Sequence, residues 1–232
     1  LTGVDITAWG KDIEERKKLG DLVESILLKN PSLERLRLSS LDISEIDEKL
    51  ISLFETESRL MPHLHLSLQS GNNMILKRMK RRHTRENTID LCNKLKAARP
   101  GLTFGADLIA GFPTENQKMF DDTLNLIREC DITWLHIFPY SIRQGTPASR
   151  MPQVDREDVL KRAESLRKIA ENRKKKHFTK HLKKTISVLM EGEFKGRSED
   201  FAEIKVNKPL IPGEIYNLTV DSFDNESLIV SS

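Results

Sequence analysis

In His63-Leu-His-Leu-Ser-Leu-Gln-Ser-Gly71 polar side chains alternate with leucines, so His63, His65, Ser67 and Gln69 share one face of a strand and an apolar stripe occupies the other. Two histidines two residues apart on a barrel strand can hold zinc in hydrolases, and His136 and Asp107 would complete such a set. Both histidines open their strand, however, at the end of a parallel barrel that serves stability rather than chemistry. A hydrogen-bonded barrel histidine is therefore the preferred role, and no metal site is assigned. His136 lies later in its strand and is the better site candidate. Asp107-Leu-Ile-Ala-Gly-Phe-Pro-Thr-Glu115 is a second strand end. Gly111 would let a ligand approach the backbone, Pro113 stiffens the turn, and Glu115 is read as a cap for the next helix. Tyr140-Ser-Ile-Arg-Gln-Gly-Thr-Pro-Ala148 carries Arg143, a fixed cation suited to a carboxylate or phosphate.

The elements that must position these residues alternate along the chain. Strands are expected near 34–39, 63–69, 103–109 and 133–139, and helices near 12–29, 44–57, 85–98, 116–129 and 155–182, with Thr84 capping the third. Such alternation predicts parallel strands with crossover helices, and active groups then gather at the C-terminal strand ends. Beyond about residue 182 short strands separated by turn residues such as Pro212-Gly213 predict a small antiparallel β unit. Phe194 and Phe201 are assigned to its core.

Charged residues make up 31% of the 232 and hydrophobic ones 38%, a globular balance. No apolar run approaches the ~20 residues of a membrane-spanning helix. Net charge is only +3, but 77–85 and 173–184 are dense basic runs, which suit a polyanion partner or a solvated helix face. Cys92 and Cys130 are far apart in sequence, form neither a disulfide framework nor a zinc motif, and suit a reducing cytoplasm. The first residue is Leu, and Leu-Thr-Gly-Val-Asp reads as a strand end, so the chain is expected to be a fragment of a longer protein.

Taken in order, Thr2-Gly-Val-Asp, Arg37-Leu-Ser-Ser, Leu66-Ser-Leu-Gln-Ser-Gly, Met79-Lys-Arg-Arg-His-Thr, Asp107-Leu-Ile-Ala-Gly-Phe-Pro-Thr-Glu and Tyr140-Ser-Ile-Arg-Gln-Gly-Thr-Pro-Ala resemble the radical S-adenosylmethionine methylthiotransferases. The tail resembles that family's small RNA-binding TRAM domain, with Gly196-Arg-Ser-Glu-Asp-Phe-Ala as its loosest phrase. Ser67-Leu-Gln-Ser-Gly with Lys80-Arg-Arg-His-Thr is most similar to the branch acting on threonylcarbamoyladenosine. The isopentenyladenosine branch usually has Pro at the position of Ser67, and the ribosomal-protein branch Gln-His in place of Gln69-Ser70.

The resemblance implies an α/β fold: a partial, open parallel βα barrel of radical SAM type over 1–152, a basic connecting helix over 153–181 and a TRAM-like β domain over 182–232. It implies transfer of a methylthio group to C2 of threonylcarbamoyladenosine beside the tRNA anticodon. S-adenosylmethionine, two [4Fe–4S] clusters and an electron-donor protein would take part in the complete enzyme. Two separated cysteines cannot hold a cluster, so the chain alone is expected to be inactive. A non-catalytic RNA-binding paralogue is the second reading.

By the same resemblance, Thr2 and Gly3 lie near the methionine amino group, Ser67 and Gln69 on the ribose and substrate side, and Arg81 at the methionine carboxylate. Ile109 and Gly111 lie near the adenine with Glu115 supporting the turn, while His136, Phe138 and Arg143 complete the wall. Arg173, Lys174, Lys175, Lys176, Lys180, Lys183 and Lys184 would face tRNA phosphates.

Overall fold

Strict alternation of leucine with polar residues makes β1, His63–Gln69, a strand with one buried face, and β2, Thr103–Ala110, and β3, Trp134–Pro139, follow it. They form a parallel three-stranded sheet in the order β1-β2-β3. The computed structural model describes residues 1–3, 5–12 and 17–231, and falls into two units, Leu1–Ile169 and Ala170–Ser232.

In the first unit, Leu64, Leu66 and Leu68 of β1 and Phe104, Ala106, Leu108 and Ala110 of β2 are fully buried. Helices α1 (Leu19–Lys29), α2 (Glu48–Thr56), α4 (Arg85–Ala98) and α5 (Gln117–Glu129) contribute to the same core. Each start has a local cause. The Asp21 carboxylate accepts the Lys18 N–H at the head of α1, and Asp47 caps α2 while also accepting the Gly20 N–H. Thr84 and Asn87 form a reciprocal capping box on α4. Of the helix expected from residue 12, only the part from Leu19 is helical, and 13–16 lie outside the described residues. The helix expected from 44 begins at Glu48, because Ile43–Glu45 is a separate 3-10 turn capped by Asp42. A short helix α3, Asn73–Arg78, capped by Asn72, was not foreseen.

The strand expected at 34–39 is not formed as such. Leu36 pairs with Leu60 and Leu41 with Leu66, and these two bridges differ in offset by one residue, which breaks the ladder. Between them Ser39 N–H turns instead to the Leu1 carbonyl, 3.0 Å away.

Helix α6, Arg156–Thr179, buries Val159, Ala163 and Leu166. The second unit is a closed barrel ordered β4-β5-β6-β8-β7, from β4 Thr185–Gly192, β5 Lys195–Ser198, β6 Glu203–Val206, β7 Ile215–Phe223 and β8 Leu228–Val230. Its pairings are antiparallel except β6 with β8, which is parallel and completes the closure. Val188, Met190, Ala202, Ile204, Val220, Leu228 and Val230 fill it. Phe194, expected in this core, is instead 53% exposed on the β4–β5 turn. Phe201 stacks under the Arg197 guanidinium, 4.4 Å from its ring centroid.

Gly71 shows how tightly a strand end must meet a helix. Its N–H donates to Thr123 Oγ1 at 2.9 Å, and a β-carbon there would stand 2.5 Å from Thr123 Cα. Gly71→Ala is expected to destabilise the first unit by about 1–3 kcal/mol through overpacking. Gly192→Ala, whose nearest neighbour would be 3.5 Å away on the Lys195 side chain, should be close to neutral. Urea unfolding checks both, followed for Gly71→Ala by the fluorescence of Trp9 and Trp134 in the first unit and for Gly192→Ala by far-ultraviolet circular dichroism.

Candidate functional site

Parallel register sets the polar face. Asp107 pairs with His136 across β2 and β3, and Ile109 with Phe138. On the other side, the β1–β2 ladder carries a bulge between Leu66 and Gln69. Asp107 Oδ1 consequently lies 3.0 Å from His65 Nε2 and 3.3 Å from His136 Nδ1, and the two imidazole centroids are 4.9 Å apart. Burial opposes charge on Asp107, but hydrogen bonds from His136 and His65 outweigh it and hold the carboxyl far below the usual range. His136 moves the other way: its hydrogen bond to Asp107 raises it above the ordinary imidazole value. His65 is hydrogen-bonded, but the expectation that it lies apart from the chemical end of the sheet is corrected: it meets Asp107 and His136 in one group.

Beyond this group the strand ends open into a cavity of about 430 Å³, lined by Gln69, Asp107, Ile109, Phe138, Tyr140 and Arg143 among others. Gln69 holds φ +68°, a left-handed conformation that costs strain in a residue with a β-carbon and that re-aims the chain after the bulge. Phe138 is half exposed, and its ring offers an apolar wall. Tyr140 packs edge-on to Phe112, 5.4 Å between centroids. The cavity thus combines a carboxylate held ionised, a cation, a carboxamide and an aromatic face.

Four of the expected site residues, Gln69, Ile109, Phe138 and Arg143, line this cavity, and His136 joins them through Asp107. Ser67 lies half-buried on β1, its N–H donating to the Leu41 carbonyl at 2.9 Å. Thr2 and Gly3 are exposed beside the 37–39 segment. Arg81 stands 3.9 Å from Asp42, in a group where Arg82 also pairs with Glu45 at 2.7 Å.

Two expectations about the 107–115 turn change. The close approach at Gly111 is made by Val159 of α6, whose Cγ2 would lie 2.5 Å from a β-carbon there, in a backbone at φ +71°. Glu115 is not the cap of α5; Asn116 is, accepting from the Met119 N–H. Glu115 folds back, accepts the Gly111 N–H at 2.9 Å and pairs with Arg162 at 3.0 Å, almost fully buried. Burial outweighs these partners and raises its carboxyl above the usual value. Glu115 therefore fixes the turn from inside.

In the second unit, Lys175, Lys176, Lys180, Lys183 and Lys184 are exposed, whereas Arg173 and Lys174 are half-buried. Lys174 Nζ is bound to Glu226 at 2.8 Å. Cys92 and Cys130, distant in sequence, are brought together in the core of the first unit, at 0% and 1% exposure. The neighbouring Cys130 thiol and burial push Cys92 up, and both cysteines are free. No helix among the described residues is long and apolar enough to cross a membrane.

The Asp107–His136 pair gives a pH signature. Asp107, with its pKa depressed, adds stability that is present above the unfolded carboxylate value and lost as pH falls through its folded value. His136, with its pKa raised, adds stability that is complete below the unfolded imidazole value and lost as pH rises through its folded value. Both contributions are present together between about pH 4 and 6.5. Imidazole NMR is expected to show His136 titrating above the ordinary value, and Asp107→Asn should return it downward. An unchanged His136 titration would remove Asp107 as the cause.

A family profile described as the Radical SAM superfamily matches residues 1–127. The chain is 46% identical over 216 residues to the threonylcarbamoyladenosine tRNA methylthiotransferase MtaB of Rickettsia prowazekii (strain Madrid E), covering 93% of this chain and 51% of that protein. It is 32% identical over 238 residues to the tRNA-2-methylthio-N(6)-dimethylallyladenosine synthase of Staphylococcus haemolyticus (strain JCSC1435), covering 98% of this chain and 46% of that protein. The chain thus spans about half the length of the curated relatives it matches. Coproporphyrinogen III oxidase (HemN) from Escherichia coli, described as a radical SAM enzyme, shares the fold at a TM-score of 0.54 and 16% identity, covering 69% of this chain and 38% of that one. With a parallel βα sheet, a polar cavity at its strand ends and a profile match over more than half its length, this chain belongs to the radical SAM superfamily.

Proposed function

We propose that this chain is part of a tRNA methylthiotransferase that adds a methylthio group to C2 of threonylcarbamoyladenosine beside the anticodon. The observation that carries this reading is the likeness, along nearly the whole chain, to the Rickettsia methylthiotransferase, which exceeds the likeness to the dimethylallyladenosine enzyme. The isopentenyladenosine and ribosomal-protein branches are the alternatives in the same family.

The family implies S-adenosylmethionine and a [4Fe–4S] cluster. The cysteines present do not fit a cluster: Cys92 and Cys130 are buried in the core, and a cluster takes three or four converging thiolates. In this proposal two [4Fe–4S] clusters are held by thiolates other than these, and a protein electron donor reduces them. What the chain itself contributes is binding and orientation. Asp107, kept ionised by His136 and His65, accepts hydrogen bonds from sugar hydroxyls. Phe138 and Ile109 offer the apolar wall against which an adenine ring packs, and the Gln69 carboxamide orients it. Arg143, exposed at the rim, is the cation available to a carboxylate, a role assigned from sequence to Arg81. Glu115 and Arg162 hold the turn beneath without touching the ligand.

The exposed lysines of the second unit suit a phosphate backbone, and the exposed Phe194 ring suits stacking on an unpaired base. Because Lys174 is engaged by Glu226, the informative variant replaces Lys175, Lys176 and Lys180 with Ala. Binding of the chain to tRNA, measured by fluorescence anisotropy across a salt series, is expected to weaken. The slope of log K against log salt should become shallower by about 2 to 3, one counterion per lost phosphate contact. A slope equal to that of the unsubstituted chain would contradict tRNA binding by this surface.

A further inference from the structure

A second set of metal-competent side chains stands in the Ala170–Ser232 unit. His177 and His181 are four residues apart at the end of α6, where the chain still turns helically: the Lys180 N–H donates to the His177 carbonyl and the His181 N–H to that of Phe178. Both imidazoles therefore leave the same face. Asp200, in the turn between β5 and β6, meets them. Its Oδ2 lies 3.0 Å from His177 Nε2 and 2.8 Å from His181 Nε2, and the two Nε2 atoms are 3.3 Å apart. The Ser198 hydroxyl holds the other carboxylate oxygen, so Oδ2 is the one presented. The side chains of His177, His181 and Asp200 are only 8%, 16% and 15% exposed.

The triangle formed by these atoms has the dimensions of a metal site. In a tetrahedral zinc centre with bonds of about 2.0–2.1 Å, adjacent ligand atoms lie about 3.3 Å apart. The observed edges are that length or a few tenths shorter. An ion at bonding distance from all three would sit about 1 Å out of their plane, leaving a fourth position for water. Hydrogen bonding alone uses the trio poorly, because two Nε2–H protons would then crowd one oxygen and each other. Two imidazoles and a carboxylate are a zinc-type donor set, whereas magnesium and calcium favour oxygen alone.

We propose that His177, His181 and Asp200 bind a zinc ion that fastens the end of α6 to the β5–β6 turn. The strand-end trio His65, Asp107 and His136 differs. There His136 is 59% exposed and offers Nδ1, at 3.3 Å from Asp107, so that group is the internal control rather than a second candidate.

The untagged chain, stripped by dialysis against a chelator, is titrated with Zn²⁺ by calorimetry, and with Co²⁺ while visible absorption is recorded. One equivalent should bind at micromolar Kd or tighter, and cobalt should give the intense bands of tetrahedral coordination. His181→Gln, whose amide can still donate to Asp200, and Asp200→Asn should each weaken binding at least tenfold. His65→Gln with His136→Gln should leave it unchanged. Should the site variants unfold, imidazole NMR of the unsubstituted chain decides: zinc must shift His177 and His181 and spare His65 and His136. Zinc that shifts only the strand-end histidines, or no binding tighter than that of His181→Gln, overturns the proposal.

Discussion

The site depends on the parallel register that sets Asp107 between His65 and His136. Because side chains alternate faces along a strand, a slip of one residue would send Asp107 into the apolar layer and bring Leu108 to the cavity. The register is held from the opposite face, where Leu64, Leu66, Leu68, Phe104, Ala106 and Leu108 are fully buried. Each hydrophobic contact beneath the sheet therefore helps fix where the polar groups stand above it. The second support is the 111–115 turn, where Glu115 ties the Gly111 backbone to Arg162 inside the protein. Removing that carboxylate would leave a buried guanidinium unpaired, a loss of about 3–5 kcal/mol where such pairs are broken.

What could be read in advance follows from range. The limits of β1 were legible because alternation is strict over 63–69, and those of α4 because Thr84 is a strong cap followed by an apolar stripe. The cavity was partly legible, since strand ends carry function in such folds and Gln69, Ile109, Phe138 and Arg143 lie at them. The roles that failed needed distances across the fold. Glu115 has the composition of a helix cap, and only the packing of Arg162 shows why it turns inward. Segment 34–39 has a strand's residues, but its pairing is broken by one residue of offset. Phe194 looked like core, yet the small barrel closes without it. His177 and His181 were hidden in a run read for its charge, although a four-residue histidine spacing on a helix was itself the available signal.

The two His–Asp–His groups show how surroundings divide one chemistry. At the strand ends an exposed imidazole and an ionised carboxylate border a cavity where a ligand with hydroxyls can enter. In the second unit the same residue types are enclosed and their donor atoms converge on one point. The first arrangement suits recognition and the second suits a fixed ion, with no difference in residue composition between them.

The most direct test of the strand-end site is NMR mapping of S-adenosylhomocysteine on the isotopically labelled chain, since that ligand retains the adenosine and amino-acid groups and needs no cluster to sulfonium contact. Shifts are expected to concentrate at Gln69, Asp107, Ile109, Phe138 and Arg143, and to be lost in Phe138→Ala. Shifts elsewhere on the chain, or a pattern indifferent to Phe138, would contradict adenosine binding in this cavity.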